Sequence, residues 1–394
     1  MIAGIVCEYN PFHRGHLYHI KKTREAGADF IVCVMSGNFV QRGECAVADK
    51  WLRAKAAVMC GADIVIDLPT PWSCSSAETF ARGSVGLLMN FGVEMLSFGC
   101  ENSNTDLLIK CARAAQERAV ADIIKNETAK GTAFPAAKQK AIGELYGTDC
   151  AELLASPNNT LAIEYISRLI KYGKERDILP IKRQGTHHDS DEIKEGYASA
   201  SKIRSLPFGE KWSDFMPEKA YALYSQSSEA GYLPCCVNNC ERAIISKLRS
   251  IPKEEYSLYV TDETGLASRI YEAAKAADSL DSLYDKAKSK NYTMARVRRE
   301  VINLYLGINK QWSEGIPPYI KILAANERGL SLIAKVKENT ALPVITKHSE
   351  AQRLSGKGKE IYEAECRSTD LFSLMSEKIR ACNLEETHSV QIVR

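Results

Sequence analysis

Continuous apolar runs recur at residues 2–7, 30–35, 64–68 and 95–98, rich in β-branched or large side chains and without strict alternation. Strands of that kind are covered on both faces. Between them, polar and apolar positions follow a helical period at 15–26, 49–60 and 76–90, with Asp49 and Ser76 placed to cap the second and third helices. The alternation predicts βαβ units and an α/β fold with a parallel, doubly wound, Rossmann-like sheet. Ligands of such sheets bind beyond the carboxyl ends of the strands, so the segments after each strand are the ones to read for chemistry.

Further along, residues 156–160 precede an amphipathic helix at 161–171, and 178–181 read as another short strand followed by Lys182 and Arg183. From about residue 211 the βα rhythm stops. Helical patterns take over at 218–228, 240–250, 266–277, 294–306 and 319–336. A chain of 394 residues exceeds one ordinary core. Two units are therefore expected: 1–210, a nucleotide-binding catalytic domain, and 211–394, mainly α-helical.

Composition narrows the class. The hydrophobic fraction is 45%, and no apolar run approaches the roughly 18 to 20 residues that cross a bilayer. The first residues lack a basic flank and a cleavage site, so they read as a strand and not as a signal peptide; a cytoplasmic protein without a membrane partner is expected. Most of the thirteen cysteines, such as Cys7, Cys33, Cys60 and Cys111, sit singly in apolar segments as small hydrophobes. The group Cys235, Cys236 and Cys240 has no second pair to complete a tetrahedral metal site, and no protein-held metal is expected.

A net charge of +3 is too small to argue for nucleic acid by itself. Local clustering says more. Residues 286–299 carry Lys286, Lys288, Lys290, Arg296, Arg298 and Arg299 with no acidic residue and with Tyr292 interleaved. A basic run is usually a solvated face. Beside a nucleotide-binding half, with an aromatic in reach of a base, this one points to RNA, with Arg296, Arg298 and Arg299 as contacts.

The densest chemistry lies directly behind the first strand, in Tyr9-Asn10-Pro11-Phe12-His13-Arg14-Gly15-His16. Two imidazoles three residues apart, with a glycine between them, stand at a helix start, where free N–H groups and the helix dipole attract a triphosphate. Such a pair can also do no more than cap the helix; the βαβ context favours a nucleotide site. After the second strand comes a glycine-bracketed polar loop, 36–44, carrying Arg42, and after the fourth comes Gly99 with Glu101 and Asn102. Residues 197–204 place hydroxyls at a helical turn ending in Arg204, which suits a second phosphate contact.

His13 to His16 resembles the histidine motif of the nucleotidylyltransferase and class I tRNA-synthetase superfamily, and Ser199 to Arg204 resembles its serine-rich second motif. Segments 4–16, 36–44, 61–69, 98–102, 157–165 and 318–329 together are similar to the tRNA(Met) cytidine acetate ligase family, across nearly the whole chain. The resemblance implies a ligase acting in two steps. Acetate attacks the α-phosphate of ATP to give acetyl-adenylate and diphosphate; the exocyclic amine of the wobble cytidine of elongator tRNA(Met) then takes the acetyl group, giving N4-acetylcytidine and AMP without acetyl-CoA. It also implies ATP contacts at Cys7, Glu8, Tyr9, Asn10, Pro11, Phe12, His13, Arg14, Gly15, His16, Leu17, Tyr18, His19 and Ile20, with Gly99, Asn159 and Arg183. His13 and His16 would stabilise phosphate charge, with Lys21 and Arg204 helping, and Mg²⁺ would accompany the nucleotide. His187, His188 and Asp189 read as a polar loop beside the nucleotide. Cys45 stands where the family has proline, and Asp67 where it has glutamate.

Two other functions fit parts of the pattern. A nucleotidyltransferase acting on a small metabolite phosphate would use the same histidines but would need neither the helical half nor the 286–299 run. A non-catalytic RNA-binding protein would have no use for intact His13, Gly15, His16 and Arg204.

Overall fold

The structure, a computed structural model, describes residues 1–183, 196–261 and 265–394. Strands β1 (Ile2–Cys7), β2 (Phe30–Ser36), β3 (Ile64–Leu68), β4 (Met95–Cys100) and β5 (Ile178–Lys182) lie parallel in the order β3-β2-β1-β4-β5. Helices α1 (Arg14–Glu25), α2 (Lys50–Met59) and α3 (Ala77–Phe91) make the first crossovers, followed by α4 (Pro157–Ile170) and the short α5 (Ala200–Ser205). Asp49 and Ser76 are the expected N-caps, accepting from the backbone N–H of Leu52 and Thr79.

Continuous apolar strands serve two cores here, because successive side chains point to opposite faces. Val32, Val34, Ile64 and Ile66 pack with α3 and α4 on one face. Ile31, Cys33, Met35 and Val65 pack with Ile20 of α1 and Trp51 and Ala54 of α2 on the other. At about 25 cal/mol per Å² of apolar surface removed from water, both faces contribute to holding the sheet.

The chain then returns to this sheet. Strand β6 (Ile320–Asn326) pairs antiparallel with β3, and β7 (Val344–Ile345) and β8 (Gln391–Val393) pair parallel with β6. Between β5 and β6 lie mostly helices, including α6 (Met294–Leu306), with a core of their own around Ile244, Leu248, Ile270, Leu283, Val297 and Val301. The part of the chain beyond the boundary expected at 211 is therefore not helical throughout, because its last fifth, from residue 320 on, rejoins the sheet of the first part. The helix expected over 319–336 is corrected: residues 320–326 are β6, and helix α7 (Glu327–Asn339) begins only after Asn326, whose side chain accepts from the N–H of Gly329 at 2.8 Å. A run such as Ile-Lys-Ile-Leu-Ala-Ala is ambiguous by period alone, and the open backbone edge of β3 decides it.

Helix α8 (Gly356–Phe372) and the segment after it close the junction through a buried ionic cluster. Lys50 Nζ lies 2.5 Å from Asp67 and 2.5 Å from Glu385, Lys321 pairs with Glu385, and Glu365 accepts from the N–H of Thr70 at 2.6 Å. The two departures from the family pattern are packing positions: Asp67 belongs to this cluster, and Cys45 is buried in the hairpin formed by Phe39–Val40 and Glu44–Cys45.

Candidate functional site

Strand order reverses at β1, whose neighbours β2 and β4 lead away in opposite directions. β1 and β4 pair only as far as Ile5 opposite Ser97; beyond that point β1 stays with β2 and β4 with β5. Their carboxyl ends part, and a cavity of about 230 Å³ opens between them. This is the position where doubly wound sheets take their ligands. The fully buried Arg53 braces the opening, donating to the carbonyls of Glu8 at 2.6 Å and Ser36 at 3.1 Å, and to that of Gly37.

His13 is the N-cap of α1. Its Nδ1 accepts from the N–H of Gly15 at 3.0 Å, and His16 Nδ1 reaches back to accept from the N–H of His13 at 3.2 Å. This is a capping box built from imidazoles. The capping alternative and the nucleotide alternative therefore coincide, because capping is what aims the rings. Each Nδ1 accepts, so each neutral ring carries its proton on Nε2 and has that N–H left to donate. The rings stack with centroids 3.7 Å apart. Gly15 is required by His13 itself: a Cβ there would lie 2.8 Å from His13 Cε1. Tyr9 turns the chain into this loop with φ of 47°, in the left-handed region, and is buried with its ring edge-on to Phe12 and His16.

Burial lowers His13 to about 3, with Arg183 and Arg204 adding to the effect. Burial, then His13, Arg183 and His19, lowers His16 well below the usual range. His19 is lowered to about 4 by burial and Arg183. Three neutral imidazoles and two mostly buried guanidiniums thus surround one cavity, with Glu8 the one carboxylate among the described residues that line it and with Glu101 and Glu44 near Arg183 and Arg204. The tautomer of His19 is fixed as well. Thr23 Oγ1 donates to the His19 carbonyl at 2.9 Å, so Ser97 donates to Thr23 at 2.7 Å, and His19 Nε2–H must donate to Ser97 at 2.8 Å.

Of the residues expected from the sequence, Cys7, Glu8, Tyr9, Asn10, His13, Gly15, His16, Tyr18, His19, Gly99, Arg183 and Arg204 line the cavity. Arg204 Nη1 also donates to the carbonyl of Asn10 at 2.7 Å, bringing the serine-rich segment across from the histidines. The others stand outside the lining. Phe12 and Ile20 are core residues and Pro11 is buried, because a loop this tight needs apolar anchors. Leu17 packs beneath the helix, and Arg14 and Lys21 are exposed. Lys21 follows His16 by five positions, about 140° around a 3.6-residue helix. Asn159 acts one shell out, its Oδ1 accepting from the N–H groups of Glu101 and Asn102 at 3.0 and 3.1 Å.

Sequence reasoning did not assign Gln41, Arg42, Phe80, Asn158 and Tyr165, which also line the cavity. Arg42 and Asn158 were visible in polar loops beside assigned residues; Phe80 and Tyr165 carried no signal apart from core apolarity. The arginines taken for RNA contacts have intramolecular partners. Arg298 pairs with Glu44 at 2.6 Å, Arg299 donates to the carbonyl of Gln41 at 3.1 Å, and Arg296 donates to that of Thr261 at 2.9 Å while lying over Tyr292. Lys286, Lys288 and Lys290 are exposed. His187, His188 and Asp189 lie outside the described residues. Among the described residues no group of His, Cys, Asp or Glu is arranged to hold a metal ion, and no helix is long and apolar enough to cross a membrane.

Comparison with known proteins gives the same result at three levels. Residues 1–387 match the family of HIGH Nucleotidyl Transferases. The tRNA(Met) cytidine acetate ligase of Thermoanaerobacter sp. (strain X514) is 35% identical over 98% of both chains, and that of Caldicellulosiruptor saccharolyticus is 35% identical over 94% of this chain and 93% of its own. Thermotoga maritima TmcAL superimposes over the full length of both chains, with a TM-score of 0.91 and 27% identity in its apo form and 0.90 and 28% in the form bound with alpha-thio ATP. The chain belongs to the tRNA(Met) cytidine acetate ligase family of HIGH nucleotidyl transferases.

Proposed function

We propose that this chain is an ATP-dependent ligase that adenylates acetate and passes the acetyl group to the exocyclic amine of the wobble cytidine of elongator tRNA(Met). The observation that carries the reading is the stacked, neutral pair His13 and His16, with both Nε2–H groups left to donate, set with Arg183 and Arg204 around the cavity between β1 and β4. A triphosphate there meets charged and neutral donors already in place. Preorganised donors of this kind stabilise charge that develops as diphosphate departs. The donors also lower the repulsion that an incoming carboxylate meets at the α-phosphate.

Magnesium would arrive on the phosphate oxygens, since the described residues offer it no cage of their own. The second half-reaction brings RNA to the same opening, and the exposed Lys286, Lys288 and Lys290 suit a contact with the RNA backbone better than the engaged Arg296, Arg298 and Arg299. Its substrates, ATP, acetate and tRNA, fit a cytoplasmic enzyme.

The test is acetate-dependent exchange of labelled diphosphate into ATP without tRNA. The parent protein should catalyse it, and His13→Ala or His16→Ala should lower it by at least about 100-fold with the fold intact. Full exchange in either variant would remove the histidines from the first step.

A further inference from the structure

Among the described residues, Glu8 is the one carboxylate lining a cavity otherwise rich in donors. It follows β1 directly, and its Oε1 accepts from the N–H of Gln41 at 2.9 Å. Among the described residues no donor is bonded to Oε2, which is left to the cavity. A fixed anion is a poor contact for a polyphosphate, which leaves Glu8 open to another role in the same cavity. Beside it stands an aromatic wall: Phe80, Phe98 and Tyr165 line the same cavity, the rings of Phe98 and Tyr165 being 6.2 Å apart. Tyr165 is close enough for the Glu8 charge to reinforce burial in raising its hydroxyl.

We propose that Glu8 accepts a hydrogen bond from the target cytosine's exocyclic amine and takes its proton during acetyl transfer, with the base stacked against the aromatic wall. The inference rests on the ligase reading and deepens it. An unstacked base finds its binding energy in aromatic faces, and a carboxylate is the natural acceptor for cytosine N4–H. The amine lone pair is delocalised into the ring and attacks slowly unless its proton is taken up. In the step, the amine nitrogen bonds to the acetyl carbonyl carbon, the bond from that carbon to the AMP oxygen breaks, and AMP leaves with the electron pair. The amine proton passes to Glu8 Oε2 and from there to water.

Burial raises the Glu8 carboxyl above the usual range, while the N–H of Gln41 and the charges of Arg204, Arg42 and Arg53 oppose the rise. A carboxyl in that setting holds a proton more readily than one in water, as a base must.

Glu8→Gln keeps the shape and the acceptor for Gln41 but cannot take a proton. Two readouts on the full-length protein separate the steps. Hydroxylamine, an amine that attacks without a base, traps acetyl-adenylate as acetohydroxamate; tRNA reports acetylcytidine. Glu8→Gln should form hydroxamate within about threefold of the parent, while acetylcytidine falls by about 100-fold or more. Glu8→Asp should restore part of the transfer. Single-turnover transfer by the parent should slow on acidification as Glu8 takes a proton, and the residual transfer of Glu8→Gln should lack that dependence. Transfer by Glu8→Gln near the parental rate would overturn the proposal. So would a parallel loss of hydroxamate, which would assign the carboxylate to the nucleotide or its magnesium. A parent that forms no hydroxamate would refute the ligase reading itself.

Discussion

At the scale of single residues, the account turns on imidazoles that stay neutral. His13 has two duties, capping α1 through Nδ1 and offering Nε2–H to the cavity, and substitutions can part them. His13→Asn keeps an acceptor for the cap, whereas His13→Ala removes both functions and costs roughly 1 kcal/mol of stability as well. The expected outcome is that both variants lose acetate-dependent exchange, while only His13→Ala loses unfolding free energy in urea. Burial also gives a pH dependence with a definite sign. His13 falls from its usual 6.5 to about 3 on folding, so below pH 6.5 the unfolded chain binds a proton that the folded chain refuses. Stability is whole at neutral pH and is lost as pH falls from about 6.5 toward 3, by an amount on the order of a few kcal/mol for this group. Urea unfolding between pH 7 and 4.5 should show that decline, and His13→Asn should flatten it. An unchanged slope would contradict the neutral buried ring.

At the scale of elements, the hairpin of Phe39–Val40 and Glu44–Cys45 joins the cavity to the helical part of the chain. Gly43 sits at its turn with φ of 75°, and a Cβ there would lie 2.3 Å from the backbone N of Arg299. Gly43→Ala combines left-handed strain with a clash against backbone that cannot yield, and should cost about 2 to 4 kcal/mol, read from the urea midpoint. Reversing Arg296, Arg298 and Arg299 together should disturb this hairpin whatever it does to RNA, because Arg298 holds Glu44 and Arg299 holds Gln41. Reversing Lys286, Lys288 and Lys290 is the cleaner test of RNA contact; weaker tRNA affinity with exchange intact is expected from filter binding at fixed salt. The same elements show what the sequence could reveal. The first four strands were legible because each apolar run is bounded by polar turns and amphipathic helical patterns separate one run from the next. The histidine corner was legible because the capping hydrogen bonds that aim its rings are made within three positions of sequence. β6 was not, since only the edge of β3 makes a strand of it. Nor was the real employment of the arginines, since Glu44 and Gln41 meet them across more than 250 positions of sequence.

At the scale of the whole molecule, the chain closes on itself. Lys50 and Asp67 come from the first fifth of the sequence and Glu365 and Glu385 from its end, and all four are buried. Asp67 and Glu365 outweigh the burial that would lower Lys50 and hold it above its usual range, so it remains charged. Removing one partner strands the others: Lys50→Met should cost about 3 to 5 kcal/mol, far more than loss of a surface pair. Thermal unfolding should show a large fall in midpoint; a change of a degree or two would mean that the cluster contributes little. Lys50 lies on α2, which also carries Arg53 to the opening between β1 and β4, so the cluster ties both ends of the sequence to the helix that braces the cavity. Its chemistry is tested most directly by incubating the purified protein with labelled acetate, ATP, magnesium and total tRNA, and digesting the tRNA to nucleosides. The account predicts label in N4-acetylcytidine, with AMP and diphosphate formed alongside and no requirement for acetyl-CoA. ATP consumed without labelled cytidine, or no consumption at all, would contradict it.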